Sequence, residues 1–326
     1  MSILTATGVE VTYPGSGRPV RAVAGVDLAV EPGEVLGLVG ESGCGKSSLA
    51  RALVGLVAPT AGTVVFDSQP VEALRRRARP VAQRRLQMVF QDPYSSLNAR
   101  RRVGDQIADA LRLAGGGGRR RAPAAVGALL ERVGLDPAMQ TRYPHEFSGG
   151  QRQRVAVARA LAADPSVIVA DEPISALDAS AQAQVANLLV GLARTEGVAV
   201  VFISHDLAIV RQVADRTAVM YLGTVVEVGP TATLWEDPQH PYTRALIDAV
   251  PTPDGSGRLP ADLPGDVPDP AAPPSGCRFH PRCPLVTPDC SSWEPVLRVQ
   301  EPGHAAACIL APDRGAPDRS TTGVPS

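Results

Sequence analysis

Residues 40–47, Gly40-Glu41-Ser42-Gly43-Cys44-Gly45-Lys46-Ser47, place two glycines, a lysine and a serine at the spacing G-x-x-x-x-G-K-[ST], with a third glycine, Gly43, between them. This combination suits phosphate binding. Glycines let the backbone wrap closely around phosphate oxygens and aim successive N–H groups inward, and a helix opening near Gly45 adds the positive end of its dipole. Lys46 is placed to reach the β- and γ-phosphates of a nucleotide, Ser47 to hold Mg²⁺, and Ser48 continues the cradle into the helix. Lys46 is also the only lysine among 32 basic residues. The preference for arginine stops where a compact ammonium fits and a planar guanidinium would need a different cradle.

Asp171-Glu172 is a second chemical centre, directly after the apolar run Val167-Ile168-Val169-Ala170. In a nucleotide site the first carboxylate holds Mg²⁺ through water and the second polarises the water that attacks the γ-phosphate. Ser148-Gly149-Gly150-Gln151 has the spacing of a capping box at a helix start, and a capped helix preceded by glycines is another anion site. The C-terminal Cys277, Cys283, Cys290 and Cys308 follow the spacing C-x5-C-x6-C-x17-C. In a cytosolic chain such a quartet points to a metal or cluster more than to disulfides, although zinc sites usually show tighter pairs.

The elements that must position these groups alternate between strand and helix, which indicates an α/β core. Strands are expected at 8–13, 23–30, 63–66, 86–90, 167–170 and 198–203, with a hairpin of 217–222 and 224–228 around Gly223. The run at 167–170 suits a parallel strand buried on both faces. Helices are expected after the glycine loop, with Leu49, Leu53, Val54 and Val57 on one face and an end near Pro59, and at about 180–195. Between about 92 and 164 the pattern is helical, with Ile107, Leu111 and Leu113, then Val126, Leu129, Leu130 and Val133, and a flexible loop over Gly115–Gly118. A nucleotide-binding domain over 1–250, a Pro/Gly-rich linker over 251–275 and a small module with a disordered tail over 276–326 complete the division.

Composition narrows the function. The net charge of −1 argues against nucleic acid as the main ligand, although arginines cluster at 75–79, 84–85, 100–102 and 119–121. Those clusters read as solvated surface. No apolar run approaches the 18 or so residues needed to span a bilayer, and the first 20 residues lack a signal-peptide pattern. The chain is therefore expected in the cytoplasm unless a partner draws it to a membrane.

Taken in order, these motifs resemble those of ABC ATPases, with Phe147 in place of the usual leucine before Ser148. The resemblance implies a P-loop NTPase of ABC type: a RecA-like parallel-sheet core, an N-terminal antiparallel β subdomain and a helical subdomain over about 92–164. It further implies that Gln91 senses the γ-phosphate and Mg²⁺, that His205 is the switch histidine, that Tyr13 stacks on adenine, and that Asp178 belongs to the loop after Glu172. Ser148 to Gln151 would bind the nucleotide of an opposite subunit. The stretches 90–98, 237–246 and 273–284 are similar to those of ATP-binding subunits of oligopeptide/dipeptide importers, most of all the second of the two paired subunits. That likeness implies ATP and Mg²⁺ as ligands, with Ser47, Gln91 and Asp171 around the metal. It implies as partners a related but different ATPase subunit, two transmembrane permeases and an extracytoplasmic solute-binding protein, at the cytoplasmic face of the membrane. In that family a comparable cysteine quartet can hold a [4Fe–4S] cluster; Zn²⁺ and a metal-free thiol fold remain the alternatives. The likeness implies di- or oligopeptides as cargo, with nickel, an oligosaccharide or another small solute as the alternative. A soluble, non-transport ABC ATPase is disfavoured, since the chain has one phosphate loop and no sustained heptads.

Overall fold

The structure, a computed structural model, describes residues 1–15, 17–74, 79–92, 96–115, 122–251, 263 and 265–311. Residues 75–78, which include Arg75, Arg76 and Arg77, arginines 119–121, the glycines at 116–118, residues 93–95, most of the expected linker and the tail from 312 lie outside the described residues.

Two long strands open the chain, β1 (Leu4–Tyr13) and β2 (Val20–Val30), paired antiparallel from Leu4↔Val30 to Tyr13↔Val20. With β4 (Ala61–Phe66) and β5 (Gln69–Pro70) they form a four-stranded sheet of order β2-β1-β4-β5. The second sheet contains β3 (Val35–Val39), β6 (Leu86–Val89), β7 (Val167–Asp171), β8 (Ala199–Ser204), β9 (Arg216–Tyr221), β10 (Thr224–Pro230), β11 (Arg298–Glu301) and β12 (His304–Ala306). Its order is β11-β12-β10-β9-β3-β8-β7-β6.

Pairs from β6 through β7, β8 and β3 to β9 are parallel, so these strands end at one edge of the sheet. Every residue of β3, β7 and β8 is buried, as continuous apolar runs covered on both faces require. Alternation along the strands divides the core. Ile168, Ala170, Val200 and Phe202 pack on the side of the helices, whereas Val167, Val169, Val201 and Ile203 join Leu4, Val9 and Phe66 of the small sheet.

Helix α1 (Lys46–Leu53) follows the glycine loop and stops earlier than the apolar spacing suggests, because the N–H groups of Leu56 and Val57 turn back onto the Arg51 carbonyl. The helical subdomain comprises α2 (Val103–Leu113), α3 (Ala122–Arg132) and α4 (Gly149–Leu161). Ile107 is buried and Leu111 packs partly against the core, but Leu113 is 67% exposed. Two residues beyond Leu111 lies roughly the opposite face of a helix, so Leu113 does not join that stripe. Then come α5 (Ala179–Glu196), α6 (Leu207–Val213), α7 (Thr231–Glu236) and α8 (Pro241–Asp248). The arginine clusters are not uniformly solvated: Arg79 is partly buried and donates to the Val54 and Leu86 carbonyls.

The C-terminal region is not simply appended behind a linker. Strand β12 pairs with β10 through Glu227↔Ala306 and Val228↔Ala305, so the tail extends the main sheet. At that seam Glu227 is 0% exposed and accepts from the Gln239 and His240 N–H groups at 2.8 and 2.9 Å, while His304 Nε2 lies 2.8 Å from its Oε1. Replacing Glu227 with Ala removes one acceptor group and strands three partners, of which His240 and His304 are buried. The expected loss is about 3–5 kcal/mol, read as a lowered denaturation midpoint in urea.

Candidate functional site

The chain edge at which the parallel strands end is where an open α/β sheet binds ligands. Strand β3 delivers the glycine loop there, β7 delivers Asp171 and Glu172, β8 delivers His205, and the chain leaving β6 delivers Gln91. Register keeps these ends level, since Val39 pairs with Ser204, Asp171 with Ile203 and Val89 with Ala170. The result is an open cleft of about 480 Å³, walled by Ser42 to Ser48 on one side and by Gln91, Glu172 and His205 on the other.

Within the loop, Gly45 adopts φ 107°, and a Cβ there would collide with the Ala22 carbonyl oxygen. Only glycine meets both demands. Lys46, 4% exposed, points back along the loop and donates to the Gly40 and Glu41 carbonyls at 2.7 and 2.9 Å. Ser47 donates from Oγ to Asp171 Oδ1 at 2.9 Å. Burial raises the Asp171 carboxyl above its usual range, against the lowering by the Ser47 hydrogen bond. A hydroxyl beside a partly desolvated carboxylate is an oxygen donor set suited to Mg²⁺, whose charge would offset that burial.

Glu172 sits at φ 45°, a left-handed conformation uncommon for a side chain of its size. Its Oε2 accepts from Gln91 Nε2 at 3.0 Å and lies 3.2 Å from His205 Nδ1. Two polar side chains from neighbouring strand ends thus hold one carboxylate at the mouth of the phosphate cleft. A held carboxylate of this kind can align and deprotonate water.

Other expected residues lie elsewhere. The Cys44 thiol is buried in the core beneath the loop, and burial raises its pKa, so it can offer the cleft its backbone only. Glu41 likewise turns its carboxylate away, toward Arg282. Tyr13 is not among the residues lining the cleft; its ring packs partly against the small-sheet core, and its buried hydroxyl has no hydrogen-bond partner among the described residues. Ser148 and Gln151 form the expected capping box, Gln151 N–H to Ser148 Oγ at 3.3 Å and Ser148 N–H to Gln151 Oε1 at 3.0 Å. Gly150 packs so closely on α5 that a Cβ would come 2.6 Å from that of Ala181. Asp178 caps α5 by accepting from the Ala181 N–H at 2.9 Å. These groups stand at helix starts and are not among the cleft's lining residues, with Ser148 and Asp178 exposed and Gly150 buried.

All four C-terminal cysteines line one small cavity with His240 and His280. Burial pushes the Cys277 thiol up to about 11 and raises Cys283 and Cys308 as well. His240 Nδ1 accepts from the Tyr242 N–H at 3.1 Å, which leaves the proton on Nε2, a buried donor without a partner among the described residues. Burial holds its pKa near about 4. A sulfur anion in this cavity would give that donor an acceptor, so the residues present suit a thiolate-bound group. Among the described residues, no three His, Cys, Asp or Glu side chains are grouped closely enough to hold a single metal ion.

Two residues escaped the sequence reading. Tyr242 accepts the Glu41 N–H at 2.9 Å, and Arg282 pairs with the Glu41 carboxylate at 2.7 and 3.0 Å. No local pattern signals contacts made across 200 residues or more. The seam carboxylate was legible in principle, because Glu227 interrupts an apolar strand and a buried charge requires partners.

Comparison with known proteins agrees with this geometry. Residues 23–175 match the family described as ABC transporter, and residues 226–290 match the family described as oligopeptide/dipeptide transporter, C-terminal region. A protein of Sinorhizobium fredii named "Probable peptide ABC transporter ATP-binding protein" is 50% identical over 295 residues, which cover 90% of this chain and 84% of the relative. The di/tripeptide transport ATP-binding protein DppF of Pseudomonas aeruginosa is 48% identical over 289 residues, covering 88% and 89% of the two chains. Among solved structures, the dimeric ATP-binding cassette MJ0796 in a post-hydrolysis state with ADP and phosphate aligns at TM-score 0.64 and 28% identity, over 70% of this chain and 98% of that one. The cbiO1 subunit of a Clostridium perfringens ABC transporter aligns at TM-score 0.62 and 26% identity, over 72% and 91%. Matches of this extent place the chain in one family: it is an ATP-binding protein of ABC transporters, of the branch that carries the oligopeptide/dipeptide C-terminal region.

Proposed function

We propose that this chain hydrolyses ATP to power the uptake of di- or oligopeptides through a membrane importer. The observation that carries the hydrolytic part is the convergence of Gln91 and His205 on Glu172 at the mouth of the phosphate cleft. Lys46 and the loop N–H groups bind the phosphates. Ser47, Asp171 and Gln91 would hold Mg²⁺, which when bound neutralises charge on the β- and γ-oxygens. Glu172 takes the proton of the attacking water, and His205 and Gln91 fix the carboxylate that takes it.

Ser148 to Gln151 and Asp178 are assigned to the partner cassette's nucleotide. The exposed positions of Ser148 and Asp178 at helix starts support that role, because an opposing subunit can bring its phosphate to them. The partner is proposed to be a related but different ATPase chain, joined to two permeases and an extracytoplasmic solute-binding protein. No described helix is long and apolar enough to cross a membrane; peripheral attachment is proposed at the cytoplasmic face, through the permeases. Peptide as cargo rests on the C-terminal region and on the names of the relatives. Uptake of labelled di- and tripeptides by a strain lacking the chain should fall to background while nickel uptake persists; the reverse pattern would reassign the cargo.

The cysteine quartet is proposed to hold a [4Fe–4S] cluster. Cys277, Cys283, Cys290 and Cys308, which line one cavity, would hold it as four thiolates. Anaerobically purified protein should contain iron and acid-labile sulfide and absorb at about 400 nm. Stoichiometric zinc without iron would refute the cluster.

A further inference from the structure

Glu41 is the first variable residue of the phosphate loop, and both its backbone and its side chain are held by the C-terminal third of the chain. Its N–H donates to Tyr242 Oη at 2.9 Å. Its carboxylate receives both terminal nitrogens of Arg282, and Arg282 also donates to Tyr221 Oη at 3.3 Å. The arginine side chain is 4% exposed. Its guanidinium lies 5.8 Å from the ring centres of both Tyr221 and Phe279, within a cluster where Tyr221, Tyr242 and Phe279 pack at 4.6 to 5.3 Å. Arg282 closes the short turn His280–Arg282, immediately before Cys283.

This arrangement has two physical consequences for the loop. Glu41 places a negative charge within a segment whose ligand is a polyphosphate, and the bidentate arginine neutralises it. The same carbonyl–lysine contacts that shape the loop run through this residue, since Lys46 Nζ donates to the Glu41 carbonyl at 2.9 Å. A loop tied at residue 41 presents its N–H groups already aimed, which lowers the ordering cost of binding.

We propose that Arg282 is a positioning residue for the phosphate loop, through which the C-terminal region sets the affinity for ATP by neutralising and fixing Glu41. It does not touch the reacting atoms, so its loss should weaken binding and leave the chemical step intact.

The test is equilibrium binding of ATPγS with Mg²⁺ to the full chain, together with KM and kcat for ATP in the assembled transporter. Arg282→Met is expected to weaken ATPγS binding by about tenfold or more and to raise KM for ATP in parallel, with kcat within about threefold. Glu41→Gln in the Arg282→Met background removes the unpaired charge and is expected to return affinity to within about threefold of the unaltered chain. Wild-type affinity in Arg282→Met would overturn the proposal. So would a loss that Glu41→Gln does not relieve, with or without loss of the fold, because it would make Arg282 part of the scaffold alone. The inference rests on the loop being an ATP site; failure of the unaltered chain to bind ATPγS would overturn that reading, and is distinguishable from either variant result.

Discussion

Glu172→Gln should lower ATP turnover by about 10²–10⁴-fold and leave ATP affinity nearly unchanged. The amide has the same shape as the carboxylate, and its oxygen can still accept from Gln91 Nε2, which now donates across 3.0 Å. It cannot take a proton from water. Because binding proceeds and hydrolysis does not, the variant should accumulate with ATP trapped between two closed cassettes, visible as an ATP-dependent shift in size-exclusion chromatography. Left-handed backbone at Glu172 costs about 1–3 kcal/mol, and the flanking hydrogen bonds oppose that strain. His205 lies 3.2 Å from the same carboxylate oxygen and is 57% exposed, so it can move when nucleotide arrives. Steady-state turnover at the wild-type rate in Glu172→Gln would remove Glu172 from the role of base.

Lys46 carries the second large effect. Lys46→Ala should reduce turnover by about 10²–10³-fold, the scale of one charged donor removed from a developing phosphate charge. Lys46→Arg should recover little. The ammonium is almost fully buried and lies between the Gly40 and Glu41 carbonyls, with the Cys44 sulfur 3.8 Å away. A guanidinium is planar and larger and cannot fill that position without moving the loop. Single-turnover hydrolysis and ATP titration separate the losses in chemistry and binding. An arginine variant with near wild-type turnover would show that charge alone suffices and that the cradle adapts to its cation.

The nucleotide site was legible because its determinants are local. Glycine spacing, the lysine, the carboxylates after an apolar run and the serine-glutamine capping box each describe a few consecutive residues. Parallel strand ends then bring them together without further sequence signals. The first strands and the helical subdomain were likewise readable from alternation and helical periodicity, whereas the antiparallel sheet those strands form was implied by the resemblance. The joining of the tail to the core was not. Pairing of β12 with β10, the Glu227 seam and the two contacts to Glu41 depend on partners far apart in the chain, and register between distant strands leaves no local trace. Pro and Gly enrichment after residue 251 suggested a separate module, whereas the aromatic cluster of Tyr221, Tyr242 and Phe279 spans that division. Tyr13 was expected at the adenine by resemblance; its ring packs partly against the small sheet's core.

The central claim is that hydrolysis at Glu172 drives peptide uptake, and it is tested most directly in proteoliposomes holding this chain, its partner ATPase and both permeases, supplied with peptide-loaded binding protein. Labelled peptide accumulation and ATP turnover are measured together. With the unaltered chain, peptide should accumulate and turnover should rise; with Glu172→Gln, accumulation should fall to the level seen without ATP although ATP remains bound. Continued peptide accumulation in the Glu172→Gln transporter would contradict the account.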